Sequence, residues 1–248
     1  MSLDKYIESM KKNQKNIYFI VANTPDNKSS SPFLEPFEKS KVPVLILPNH
    51  IDEVCFKTVN EYKGYKFVNI ESNFEEVSSD LDLKVEHDKV DGIPENEITP
   101  FSLWLKSELT PTISRVTISK RLTSAPAVIV GQVSSSLRAI LSIADQSQYE
   151  QAIRDQSLEM NPNHPLMVKL NKLRKTDTAL SKILLNQIFN NVKFISGIPY
   201  DPQSSSQESY KVLEMLMDYK LQDLDDDIPE IIMEDQNEKG ESILSDKK

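Results

Sequence analysis

The sequence has 248 residues, with 29 basic and 38 acidic side chains, five glycines and one cysteine. That length predicts one or two domains, each able to bury a core of its own. The five glycines lie far apart, which excludes the common glycine-rich phosphate-binding loops. A single cysteine excludes an intrachain disulfide and a zinc site built from several cysteines. The three histidines have no metal-ligand spacing, so we expect no catalytic and no metal-binding residues.

The net charge of −9 is concentrated at the C-terminus, where residues 222–248 contain ten acidic and three basic side chains. We expect this acidic tail to be disordered, because its charges repel one another. The rest of the chain is close to neutral, so we expect no nucleic-acid partner, which would need clustered cations. No apolar run approaches the roughly 18 residues that span a bilayer, and we expect neither membrane insertion nor a secretory signal.

Residues 1–75 alternate between helical and extended patterns. Ser2 is placed to cap a short helix, and apolar runs at 17–21, 44–47 and 66–70 are typical of buried strands. A helical stripe at 51–62 precedes the third strand, with Gly64 as its expected end. This order predicts an α/β domain with a small three-stranded parallel sheet. Cys55 lies on the helical stripe, and we expect it to be buried as a small apolar side chain.

Residues 76–96 are rich in charge and serine and predict a linker. An α+β domain is expected over residues 97–221, with Trp104 as a core side chain of its first helix. Short strands are predicted at 116–118 and 127–130, and only helices and loops after Gly131. His164 precedes an apolar helix, and we expect it to cap that helix rather than to act in catalysis.

Two long amphipathic helices end the domain. From Thr178 to Ser196 an apolar residue recurs every three or four positions, and a capping box at Ser205–Glu208 begins the second helix. Joined by a short loop, the two helices form a hairpin that a second copy could complete as a four-helix bundle. The pattern alone leaves a dimer interface and an ordinary core equally open. The residues predicted to dimerise are Leu180, Leu184, Ile188, Val192, Ile195, Leu213 and Met217.

Several segments resemble one protein family in the family's own order. They are SLDKYIESM at 2–10, QKNIYF at 14–19, SPFLE at 31–35, RL at 121–122 with AP at 125–126, and LEMNPNHP at 158–165. Together they resemble the end of the middle domain and the C-terminal dimerisation domain of the 90-kilodalton heat shock protein (HtpG-type) chaperones. KLNKLR at 169–174 and LLNQI at 184–188 are most similar to the mitochondrial member.

The resemblance implies part of an ATP-dependent chaperone that assists protein folding and acts as a homodimer on partly folded client proteins. Its ATP and Mg²⁺ would bind in an N-terminal domain that this chain does not include, so this portion is not expected to be an enzyme. The family's client-contacting segment matches Leu137, Ile140 and Leu141, without the usual Trp or Met; packing within the chain is an equal alternative for these residues. The chain ends without the cytosolic or endoplasmic-reticulum signals of the family, which favours a mitochondrial or other organelle matrix over the cytoplasm.

Two other functions remain open from the residues. A small α/β enzyme or ligand-binding module would use the loops after the first two strands, at Val21-Ala22-Asn23 and Leu47-Pro48-Asn49. A passive scaffold would instead use the acidic tail to recruit a basic partner.

Overall fold

The computed structural model describes residues 1–21, 31–72, 74, 77, 81, 92–131, 133–154, 156–196, 198 and 202–225; in the last helix it describes the side chains of 203 and 205–218. The elements in chain order are α1 (Leu3–Ser9), β1 (Ile17–Val21), α2 (Glu35–Lys39), β2 (Leu45–Leu47), α3 (His50–Val59), β3 (Glu61–Tyr62), β4 (Tyr65–Asn69), α4 (Glu95–Leu109), β5 (Arg115–Ile118), β6 (Ala127–Val130), α5 (Ser135–Ala144), α6 (Gln146–Arg154), β7 (Ser157–Met160), α7 (Pro165–Thr176), α8 (Thr178–Ile195) and α9 (Pro202–Asp225). The chain is therefore α/β, with two mixed sheets and helices around them.

The first sheet has the strand order β2-β1-β4-β3. Strand β1 is parallel to both β2 and β4, as the sequence predicts, but the short strand β3 adds a fourth, antiparallel partner to β4. The expectation that α3 continues to Gly64 was wrong. Asn60 adopts φ 65° and ends the helix, and Gly64, with φ 82°, lies in the tight turn between β3 and β4.

Helix α3 covers this sheet with one side only. Its Phe56 ring lies 5.2 Å from the ring of Phe19 and 4.2 Å from that of Phe67. Cys55 is exposed, so the expectation of a buried cysteine was wrong. Ile51 and Val59, four residues to either side of Cys55, are also exposed, which shows that the predicted apolar stripe faces away from the sheet.

Helix α1 is fixed to the first sheet through Tyr6, which is fully buried. The Tyr6 hydroxyl donates to the Pro43 carbonyl at 2.7 Å and accepts from the Gln14 amide at 2.9 Å and the Tyr18 backbone N–H at 3.0 Å. Burial raises the pKa of Tyr6 to about 12, so the hydroxyl keeps its proton and its donor role.

The second sheet has the order β5-β7-β6, with β7 parallel to β5 and antiparallel to β6. The expectation of only helices and loops after Gly131 was wrong, because β7 is the central strand of this sheet. Its sequence, Ser-Leu-Glu-Met, is short and half polar and has no strand signal of its own. All four residues are nevertheless buried, since β7 has a partner strand on each side.

The two sheets share packing through β6. Val128 points into the core beneath the first sheet, together with Leu122 and Ala125, whereas Ala127 and Ile129 point into the core of the second sheet. Val77 and Leu81, within the predicted linker, are buried in the first core. The domain boundaries at residues 75 and 97 remain a prediction. The first core nevertheless contains residues from both sides of residue 75, such as Ile70 and Val77.

We call residues 1–75 the first region and residues 97–225 the second region, and two further expectations concern the second region and the tail that follows it. Trp104 packs against the second core and stacks on Phe101 with ring centroids 5.8 Å apart, which confirms its core role. The tail was expected to be disordered from residue 222, but residues 222–225 belong to α9, so that boundary was wrong. Residues 226–248 lie outside the described residues.

Candidate functional surfaces

Helix α8 presents one face to the core of its own chain. Leu185, Phe189 and Val192 are buried there, and Leu184 and Ile188 pack partly buried against the same core. The Asp177 carboxylate caps the helix by accepting from the Leu180 backbone N–H at 2.9 Å. Of the residues predicted to dimerise on α8, Val192 therefore lies in the intrachain core. Leu180 is half-buried, and Ile195 is exposed.

Helix α9 packs along α8 through polar contacts. The Asn190 amide donates to the Glu208 carboxylate at 2.5 Å, and the Ser209 hydroxyl donates to the Gln187 amide oxygen at 3.1 Å. Because these polar contacts face α8, the apolar side chains of Tyr210, Leu213, Leu216 and Met217 remain on the outside. Both residues of α9 predicted to dimerise, Leu213 and Met217, are exposed.

An exposed apolar surface therefore extends over both helices, and we call it the hairpin surface. Its members are large apolar side chains of α8 and α9 with at least two fifths of their area exposed: Ile183, Phe194, Ile195, Tyr210, Leu213, Met215, Leu216 and Met217. A groove of about 470 Å³ between the helices adjoins it, lined by Ile183 and Met215 and by the polar or charged side chains of Asn186, Glu208, Lys211, Glu214 and Asp218. The helical period places Tyr210 on the same apolar side as Leu213 and Met217, but sequence reasoning missed Ile183, Phe194, Met215 and Leu216.

Helix α5 provides a second apolar surface, because it packs against the rest of the chain with its polar side. Its buried residues are the polar Ser136 and Arg138, while Leu137, Ile140 and Leu141, the predicted client contacts, are half-buried. Ile143, which sequence reasoning missed, is 91% exposed. A surface helix ordinarily buries its apolar side, so this arrangement leaves apolar area accessible on an ordered helix.

Two carboxylates of the first region hold the polar side of α5. Glu53 of α3 is fully buried and accepts from the Ser134 hydroxyl at 2.8 and 2.7 Å, from the Ser136 hydroxyl and from the Asn69 amide at 3.1 Å. Lys57, half-exposed at the rim, places its Nζ 3.3 Å from the same carboxylate.

Glu71, just after β4, provides the second carboxylate. It accepts from the Ser135 backbone N–H at 2.8 Å and from the Ser135 hydroxyl at 2.9 Å, at the first residue of α5. The guanidinium of Arg138 lies 3.8 Å away and donates to the Ser196 carbonyl at the end of α8 at 2.9 Å. Burial raises the pKa of Glu71 and lowers that of Arg138, and their mutual attraction opposes both shifts.

Arg121 joins the two regions at the second sheet. Its guanidinium makes a bidentate pair with Glu159 of β7, with an Nη2–Oε2 distance of 2.7 Å, and donates to the Ile70 carbonyl at 2.9 Å. The rings of Phe33 and Phe74 lie 4.7 Å from it. No local pattern predicts a role for Arg121 beyond the family resemblance, because its partners are distant in the chain.

A carboxylate on α2 makes a further connection. Glu35 accepts four hydrogen bonds from the backbone N–H groups and hydroxyls of Thr123 and Ser124, including N–O distances of 3.1 Å to both backbone nitrogens. Burial raises the pKa of Glu35, but the hydrogen bonds from Ser124 and Thr123 outweigh burial and lower it overall.

His164 caps α7, as expected. Its Nδ1 accepts from the Leu166 backbone N–H at 3.1 Å, so Nε2 carries the proton that is shared with the Ser124 carbonyl at 3.1 Å. Burial lowers the pKa of His164, and the hydrogen bond to Ser124 opposes this shift only in part. The imidazole therefore acts as a neutral cap.

The structure gives little support to the alternative of a binding site in the loops that follow β1 and β2. Asn49, which follows β2, forms the capping box of α3 with Asp52. Ala22 and Asn23 lie outside the described residues. Within the part of the chain that the structure describes, no three His, Cys, Asp or Glu side chains come together as a metal site, and none of its helices is long and apolar enough to cross a membrane.

Comparison with known proteins gives a consistent result over nearly the whole chain. A family model described as "Hsp90 protein" matches residues 1–244. "TNF receptor-associated protein 1 homolog, mitochondrial" from Dictyostelium discoideum is 26% identical over 88% of this chain and 30% of its own length. "Heat shock protein 90-5, chloroplastic" from Arabidopsis thaliana is 30% identical over 87% of this chain and 28% of its length. "Chaperone protein HtpG" from Desulfitobacterium hafniense is 29% identical over 86% of this chain and 34% of its length. The chain thus spans about three tenths of the length of these relatives.

Proposed function

Because the chain belongs to the Hsp90 protein family, we propose that it forms the dimerisation and client-contact portion of an ATP-dependent chaperone that assists protein folding. The observation that carries this proposal is the hairpin surface, a set of eight large apolar side chains exposed on two adjoining helices. Exposed apolar area of this extent on a folded helical hairpin is typical of an interface. The names of the relatives, which include a chaperone protein HtpG, support the chaperone role.

In this proposal a second copy covers the hairpin surface and completes a four-helix bundle. The eight side chains on each copy are about half exposed, so burying both sets would contribute on the order of 10–20 kcal/mol. Association costs about 4–15 kcal/mol in lost translational and rotational freedom. The two quantities are comparable, so a charge introduced on this surface should dissociate the dimer.

Pairing at this end has a mechanical consequence for a longer protein. Two arms joined at one end meet at a high effective concentration, so a closure that brings them together becomes intramolecular. Partly folded clients would contact apolar side chains such as Ile140 and Ile143 of α5, since burial of apolar surface needs no specific sequence.

Membership of the family leads us to place ATP and Mg²⁺ with the rest of a longer protein and to assign this portion no catalytic step. The mitochondrial and chloroplastic relatives favour an organelle matrix, and bacterial relatives also match.

Sedimentation equilibrium at micromolar concentration tests the dimer. We expect the unchanged chain to be dimeric and the variant Leu213→Asp/Met217→Asp to be monomeric, because both changes place unpaired charges in the interface. Leu184→Asp/Ile188→Asp should also yield monomers, but these side chains also pack against the intrachain core, so it is the less selective variant.

Val59→Asp, an equally exposed apolar residue on α3, is the matched control and should remain dimeric. A monomeric unchanged chain, or a Leu213→Asp/Met217→Asp variant that stays dimeric, would contradict the proposed interface.

A further inference from the structure

The attachment of α5 to the first region differs from ordinary helix packing. A helix is usually held by apolar side chains, yet the fully buried side chains of α5 are a serine and an arginine. The serines at its N-terminus, Ser134, Ser135 and Ser136, donate to carboxylates that come from α3 and from the end of β4. We call these three serines with Glu53 and Glu71 the serine latch.

We propose that Glu53 and Glu71 are positioning residues for α5, which hold its polar N-terminus so that Ile143 stays exposed, and Leu137, Ile140 and Leu141 half-buried, in one fixed orientation. The inference rests on the proposed function, because it concerns the helix that would contact clients. It assigns to two carboxylates of the first region a role in presenting a surface of the second.

Geometry gives the two carboxylates separate tasks. Glu53 receives both flanking serine hydroxyls, from Ser134 and Ser136, and so fixes the rotation of the helix about its axis. Glu71 receives the backbone N–H and hydroxyl of Ser135 and so fixes the position of the first turn. A carboxylate at a helix N-terminus is also favoured by the helix dipole.

Arg138 balances the charge of the latch and extends it. It is buried, faces Glu71, and donates to the Val133 carbonyl at 2.7 Å as well as to Ser196 at the end of α8. One buried guanidinium near two buried carboxylates, with Lys57 at the rim, leaves no spare buried charge. Loss of either carboxylate would therefore unbalance the cluster and loosen α5.

Holding α5 in one orientation should strengthen client contact. A binding surface that is correctly arranged only part of the time binds more weakly in proportion to that fraction. If the latch keeps α5 docked, a change that reduces the docked population to about a tenth weakens binding about tenfold.

Two variants release the latch in different ways. Glu53→Gln keeps the shape of the side chain and removes its charge. Ser135→Pro removes both donors to Glu71 but preserves the helix, because proline is tolerated at a first helical position. Ser134 already has φ −63° and ψ 162°, the conformation that a following proline requires. Ser135→Pro therefore decides the question even if Glu53→Gln fails to fold.

Each variant has a matched control. Glu61→Gln is the same chemical change at an exposed residue of the first region, and Gln146→Pro is the same kind of change at the first residue of α6. Neither residue touches the latch. Controls and latch variants are compared in the full 248-residue chain.

The single native cysteine makes the position of α5 measurable. Cys55 is exposed on α3, and Ile143→Cys adds a second exposed site at the far end of α5. Spin labels at both sites, in chains diluted with an excess of unlabelled protein, report the distance distribution within one chain. Affinity is measured without labels, by fluorescence anisotropy of fluorescein-labelled, reduced and carboxymethylated α-lactalbumin, a permanently unfolded protein.

We expect both latch variants to broaden the distance distribution and to weaken binding about tenfold, while both controls leave the two quantities unchanged. An unchanged distribution in the latch variants overturns the proposal, and so does a broadened distribution with unchanged or stronger binding. If the unaltered chain does not bind the unfolded protein, the proposed client contact is wrong, and the distance measurement alone then decides whether the latch holds α5.

Discussion

Arg121 shows how one side chain can hold two regions of the molecule together. Its guanidinium is 2% exposed, pairs with Glu159 and lies between two aromatic rings. A buried pair of this kind adds little over an apolar replacement of both partners, but removal of one partner leaves an unpaired buried charge. The cost of losing Arg121 should therefore be large.

We expect Arg121→Ala to lower the free energy of unfolding by about 3–5 kcal/mol, because Glu159 would remain buried without its partner. Chemical denaturation at neutral pH measures this change. Arg115→Ala, at an exposed position of β5, should lower it by well under about 1 kcal/mol. Equal effects of the two substitutions on the free energy of unfolding would show that the pair of Arg121 with Glu159 contributes no more to stability than an exposed arginine does.

His164 should make stability depend on pH. The folded state lowers its pKa below the ordinary value of 6.5, so folding favours the neutral imidazole. The contribution is complete above pH 6.5 and is lost as the pH falls from 6.5 through the folded pKa. Protonation of Nδ1 removes the cap of α7, at a cost of about 0.5–2 kcal/mol.

The free energy of unfolding, measured with denaturant between about pH 7.5 and about pH 5 in steps of about one pH unit, checks this prediction. His164→Asn retains a capping acceptor that does not titrate, so the pH dependence in this range should become shallower. An identical pH profile for the two proteins would exclude His164 as its source.

At the scale of elements, Glu35 connects α2 to the segment between β5 and β6. Its four hydrogen bonds lower its pKa, so its contribution is present above its ordinary value of about 4.5 and is lost as the pH falls below that value. We expect Glu35→Gln to lower the free energy of unfolding at pH 7 by about 1–2 kcal/mol, since water partly screens this half-buried carboxylate.

Glu38 provides the control for Glu35, because it lies on the same helix and is exposed. Glu38→Gln should change the free energy of unfolding by less than about 0.5 kcal/mol. Comparison of the two variants at pH 7 and at about pH 3.5 completes the test, since the difference between them should shrink in acid as Glu35 itself becomes protonated. A difference that is the same at both pH values would contradict the role of its charge.

At the scale of the whole molecule, the first region is not self-contained. Leu122, Ala125 and Val128 complete its core, and all three come from the second region. Separation at residue 75 would expose the apolar side chains that they cover, together with Val77 and Leu81. The two regions should therefore unfold together.

We expect the fragment 1–75 alone to lack a stable fold, with collapsed amide dispersion in its NMR spectrum, while the full chain unfolds in one cooperative transition. The full chain measured under the same conditions is the control. A well-dispersed spectrum of the isolated fragment would show that the shared core is dispensable to it.

The sequence by itself determined the features that depend on neighbouring residues. These include the three parallel strands, the amphipathic stripes of α8 and α9, the cap at His164 and the family resemblance. Each is encoded by a local period, a capping residue or a contiguous motif, so it can be identified without knowledge of the fold.

Only the tertiary structure decided the features that depend on distant partners. Glu53 meets Ser134 across 81 residues, which is why the sequence could not show that α5 buries its polar side. The same holds for β7, whose central position comes from β5 and β6, and for Cys55, which the described residues leave exposed. The spacing of residues along an element shows which side chains share one of its faces. Whether that face is buried depends on which other parts of the chain pack against it.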